Sequence, residues 1–103
     1  MTTQQILQAL DLYEASLTRY GAKAVRADTS SRARPDDPPG QQEHANHLLW
    51  MCEETRKFLA RGEDWSHPTQ GNVEKAMRWL GFIQGGLWAG GIYSIEDMKN
   101  HNR

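Results

Sequence analysis

Lys75, Arg78 and Trp79 stand within five positions of one another, just inside a stretch that reads as a helix starting at Asn72. Two cations and an indole beside a helix N-terminus are suited to holding an anion that carries a flat ring. The cations supply charge-assisted hydrogen bonds, the indole supplies a stacking face, and the first turn of the helix adds its positive dipole end. Trp65 is a further candidate for the same grip, because the loop GEDWSHPTQG around it is unusual for a plain connector. A plainer reading stands beside this one, with Lys75 and Arg78 on a solvated face, Trp79 flanking the core and Trp65 folded over the end of the helices.

Other chemistries fall short. His44 and His47 are spaced i, i+3 with Glu43 adjacent, which is half of a metal site. The second half, an HExxH or Glu-x-x-His pair, does not follow. The carboxylates Glu53-Glu54 and Glu96-Asp97 invite comparison with all-helical nucleotide pyrophosphatases, whose sites resemble ExxE followed by ExxD on facing helices. Here Glu53 and Glu54 are neighbours, and a helix turns neighbours about 100° apart. Cys52 falls on an apolar stripe and reads as core rather than nucleophile. No phosphate loop, catalytic triad or dinucleotide fingerprint is present. The expectation is a protein that is not an enzyme and uses no metal or cofactor. An all-helical nucleotide hydrolase is the least favoured alternative.

The elements that must carry these residues are helices. Around Leu80, at ~100° per residue, Val73, Ala76, Met77, Ile83, Gln84 and Leu87 share one apolar face. Gly81, Gly85 and Ala89 follow on the opposite side at i, i+4, i+8, with Phe82 beside them. Small residues at that spacing let another backbone come close, so this helix reads as buried on two sides. The glycine face, with Phe82 and Trp50, is the expected interface of a homo-oligomer. Asn72 reads as the N-cap and Gly90-Gly91 as a left-handed exit. Ser94 and Asp97 then cap a short C-terminal helix, with fraying expected from Asn100 to Arg103. The run from Trp79 to Tyr93 is too short to span a membrane.

Upstream, Thr2 or Thr3 can cap a first helix that runs to about Tyr20 and stops at Gly21. Its stripe is Ile6, Leu10, Tyr13, Leu17 and Tyr20. Residues 22–27 read as a possible last turn, and about 28–40 as a flexible proline-rich linker carrying Arg32 and Arg34, with Arg26 just before it. A second long helix covers Gln41 to Arg61, ended by Gly62, with an inner stripe of Ala45, Leu48, Cys52, Thr55 and Leu59. Met51 and Phe58 lie beside that stripe, Glu53 pairs with Lys57, and Trp50 points away. The fold class is all-α: an antiparallel helical hairpin with an added N-terminal helix and a short C-terminal helix, in one domain of 103 residues. A net charge of -1 gives no general pull toward nucleic acid or membrane. The single cysteine and the absence of an apolar signal core in the first 25 residues fit a reducing cytoplasm.

Lys75-Ala76, Arg78-Trp79-Leu80-Gly81-Phe82, Gln84-Gly85, Leu87-Trp88, Ser94-Ile95-Glu96 and Met98 together resemble a C-terminal pattern of small helical proteins encoded by phages and prophages. The resemblance covers roughly the last third of the chain. Arg78, Trp79, Leu80 and the Gly85-Gly86 region are also similar to the last helix of phage helical-hairpin sponges. Those sponges are non-enzymatic oligomers that sequester cyclic-nucleotide defence signals. The resemblance implies a phage-type binding protein in the host cytoplasm that antagonises defence by sequestering an anionic signal nucleotide. The alternative partner is a host defence protein, bound through protein contacts alone as anti-CRISPR proteins act.

Overall fold

The computed structural model describes residues 2–27, 40–60 and 70–101. These residues form four α-helices and no strand: α1 Thr3–Arg19, α2 Gln41–Ala60, α3 Gln70–Ala89 and α4 Ile95–His101. The chain is all-α. The proline-rich stretch 28–39 and residues 61–69, with Gly62 and Trp65, lie outside the described residues, as do Asn102 and Arg103. No helix among the described residues is long and apolar enough to cross a membrane.

The helix ends follow local chemistry. Thr2 caps α1: its hydroxyl accepts from the Gln5 N–H at 3.1 Å, and the Gln5 side chain accepts from the Thr2 N–H at 2.7 Å. The same reciprocal pattern opens α4 between Ser94 and Asp97. α1 and α3 both leave through a glycine in the left-handed region, Gly21 at φ +85° and Gly91 at φ +76°. In each exit the next residue's N–H reaches back across the last turn, Ala22 to the Leu17 carbonyl and Ile92 to that of Leu87. An L side chain at either position would meet backbone strain, which is why glycine holds both.

Three apolar stripes meet in one core: Ile6, Leu10, Tyr13 and Leu17 from α1, Leu48, Cys52, Thr55 and Leu59 from α2, and Ala76, Leu80, Ile83 and Leu87 from α3. Thr55 is accommodated because its hydroxyl donates to the Met51 carbonyl one turn back. Arg56 ties α2 to α1, bonding Glu14 at 2.8 Å and also Asp11.

Several local expectations need correction. α3 begins at Gln70, so Asn72 lies inside its first turn rather than capping it. Tyr20 is 64% exposed, because α1 ends at Arg19 and the chain turns away at Tyr20. Residues 22–27 are not helical; they run beside α2, where side chains of that helix take up their backbone groups. Lys57 pairs with Glu54, three positions back, instead of Glu53. The helix α4 continues through Asn100 to His101, whose ring is bonded to Tyr13.

Candidate functional site

A row of aromatic rings crosses the contact between α2 and α3. Trp50 lies 6.0 Å from Trp79, and Trp79 meets Phe58 edge-on at 4.7 Å, all measured between ring centroids. Trp50 and Phe58 sit two turns apart on one flank of α2, and Trp79 comes from α3. A cation closes each end. The Arg26 guanidinium lies 5.3 Å from the Trp50 ring, and the Lys75 ammonium 4.1 Å from the Phe58 ring and 6.0 Å from that of Trp79. Aromatic pairs of this kind contribute about 0.5–1.5 kcal/mol beyond their area, and the cation contacts a similar amount. Phe58 is buried, whereas Trp50 and Trp79 keep part of their surface in solvent.

Of the residues singled out for an anion grip, Lys75 and Trp79 therefore belong to one cluster. Arg78, one position before Trp79, is exposed and makes no ion pair among the described residues. Trp65 lies outside the described residues. Trp50, expected to point away from the core, is half-buried and packed in the row. Arg26, Phe58 and His47 join the site although none of them stands near Lys75 and Trp79 in the sequence. The i, i+8 spacing of Trp50 and Phe58 is the available signal for Phe58. Nothing in the sequence places Arg26 over a ring 24 positions later.

The His44 and His47 rings take different partners. The His44 Nε2–H donates to the Gly86 carbonyl at 3.3 Å. The His47 Nδ1 accepts from the Ala27 N–H at 3.1 Å, and its ring stacks on Trp50 at 5.4 Å. Burial first, then the charge of Arg26 and then His44, holds the His47 imidazole below its ordinary pKa of 6.5. Among the described residues no group of three His, Cys, Asp or Glu side chains is placed to share a metal ion. The Cys52 thiol is fully buried, and burial pushes its pKa up to about 12, so no thiolate is available at neutral pH.

The other face of α3 is open. Gly81, Gly85 and Ala89 are exposed, Phe82 is 60% exposed and Trp88 54%. Within the single chain α1 and α2 both pack on the Leu80 side, and the glycine face is exposed. A Cβ built at Gly81 or Gly85 meets nothing within 4 Å. The glycine in close contact is Gly86, where a Cβ would stand 2.7 Å from one Leu48 methyl and 3.0 Å from the other. Neither a protein-family model, nor a curated protein, nor a solved structure matches this chain.

Proposed function

We propose that this protein is a non-enzymatic binder of an anionic nucleotide, acting as a homo-oligomer and serving a phage against host defence signalling in the host cytoplasm. The observation that carries the reading is the aromatic row with a cation at each end. A base can stack on the exposed parts of Trp50 and Trp79, while Lys75, Arg26 and the nearby Arg78 meet its phosphates. We further take α2 and α3 as an antiparallel hairpin. His44 and Leu48 at the start of α2 meet Gly86 late in α3, and Phe58 late in α2 meets Lys75 and Trp79 early in α3.

Calorimetric titration with cyclic di- and trinucleotides and with linear nucleotides tests the binding. Arg78→Ala is expected to weaken it about tenfold, ~1.5 kcal/mol, the lower end for a hydrogen bond to a charged group because Arg78 is exposed. Absence of heat at high micromolar concentration for every nucleotide would remove this reading.

The runner-up is a protein inhibitor of a host defence nuclease, and the open α3 face with Phe82 and Trp88 favours it. The same face is the proposed contact between copies. A Cβ at Gly85 meets nothing within 4 Å among the described residues, so Gly85→Leu is expected to fold while holding a second backbone away. Its dissociation constant in sedimentation should rise at least tenfold, ~1.4 kcal/mol. A wild type that sediments as a monomer at matched concentration leaves the face to a different protein.

A further inference from the structure

Residues 22–27 form a strap along the first turns of α2, held at two ends by different chemistry. At the near end, the Gln42 side-chain amide donates to the Gly21 carbonyl at 3.1 Å and to Asn46 Oδ1 at 2.9 Å, and Asn46 Oδ1 accepts from the Lys23 N–H at 2.9 Å. Carboxamides do not titrate in the physiological range. At the far end the Ala27 N–H donates to His47 Nδ1, and Arg26 lies over the ring of Trp50, on which His47 itself stacks. That acceptor exists only while the imidazole is neutral, with its proton on Nε2. Protonation sets a donor against a donor and places a second positive charge beside Arg26.

We propose that the strap is a pH-released cover, its far end let go from Trp50 when His47 is protonated at Nδ1. The release concerns the chain alone and stands whether or not the aromatic row binds a nucleotide. The charged groups around His47 come from two elements. The strap brings Arg26, with Lys23 exposed further back; α2 brings His44 and, one turn earlier, the exposed Glu43. From α3 the nearest member of the row is Trp79, which is uncharged and meets Trp50. The closed strap favours neutral His47, so its pKa there is the lower one, and an opened strap returns it toward 6.5. The closed form is therefore fully favoured above about pH 6.5 and is lost as pH falls below it. Between the two values the opening equilibrium rises up to about tenfold per pH unit.

The experiment is amide exchange and ring-nitrogen shifts by NMR on the free, ¹⁵N-labelled protein between pH 8 and pH 5. At pH 8 His47 should show an unprotonated Nδ1. On acidification the Ala27 amide should lose protection with a midpoint below 6.5, while the Lys23 amide keeps its protection. His47→Phe keeps a stacking ring without an acceptor and should leave Ala27 unprotected at every pH. Arg26→Gln removes the neighbouring charge and should move the wild-type midpoint upward. The proposal is overturned if Nδ1 carries the proton at pH 8, if Ala27 stays protected while the His47 ring titrates, or if the transition survives in His47→Phe. Should His47→Phe not fold, the wild-type titration and Arg26→Gln decide the matter by themselves.

Discussion

Gly86→Val is expected to lower stability by about 2–3 kcal/mol, whereas Gly85→Val, one position earlier, should change it by less than ~0.5 kcal/mol. The two residues belong to one helix and differ only in what lies opposite. At Gly85 a Cβ meets open space. At Gly86 it meets both methyls of Leu48, whose buried side chain must shift to admit it, and lies 3.4 Å from His44 Nε2. Valine adds three carbons at that spot and endangers the His44 bond to the Gly86 carbonyl. Its slightly better helix propensity returns only about 0.4 kcal/mol. Denaturant titration of the pair measures this directly. A thermal midpoint lowered by roughly 10–20 °C in Gly86→Val alone is the matching expectation. Equal effects at the two positions would mean that α2 and α3 are not in the contact described.

Tyr13→Phe is expected to cost about 2 kcal/mol and to free α4 first. The Tyr13 ring is fully buried, and its hydroxyl is the joint of three elements. It accepts from the Gln84 side-chain amide of α3 at 2.9 Å and is hydrogen-bonded to His101 Nδ1 of α4 at 2.9 Å. Tyr93, just ahead of α4, meets the same ring edge-on at 5.6 Å and bonds Ser16 through its own hydroxyl. Phenylalanine preserves the ring contacts and deletes only the oxygen, so Gln84 and His101 each lose a bond in a partly buried place. α4 has seven residues and cannot persist as an isolated helix. Amide exchange across 96–101 should therefore quicken more than exchange in α1 or α3. Burial also raises the Tyr13 phenol above its ordinary 10, with the Gln84 bond pulling the other way. A raised phenol favours the folded state below pH 10 and loses that contribution as pH rises past it, a loss that Tyr13→Phe should lack. Uniform exchange across all four helices in the variant would show that α4 does not depend on this hydroxyl.

What the sequence made legible was whatever depends on neighbours in the chain. The α1 stripe, the inner stripe of α2, the Thr2 cap, the Gly21 and Gly91 exits and the Ser94–Asp97 box are each set by residues within about one turn, and each can be read from spacing. What escaped depends on residues far away. The strap takes its shape from Asn46 and His47, some 20 positions on. Gly86 differs from Gly85 only because Leu48 stands opposite it. Helix phase alone puts Trp50 off the inner stripe, yet Trp79 and Arg26 cover it from two other elements. The candidate site was half legible for the same reason. Lys75 and Trp79 share a turn, while Arg26 and Phe58 reach them only through the packing of distant segments.

The Tyr13 joint also sets a clock for the growing chain. Its bond to His101 spans 88 positions. A ribosome adding ~5–20 residues per second needs about 4–18 s to make that partner after Tyr13 itself. Ile6, Leu10 and Leu17 can meet α2 before α3 is complete, and the Tyr13 hydroxyl lacks both of its partners until Gln84 is made and one of them until His101 is made. The nascent protein carries a first helix whose central hydroxyl stays unsatisfied until α3 and α4 follow, and the joint closes only once α4 has cleared the exit tunnel.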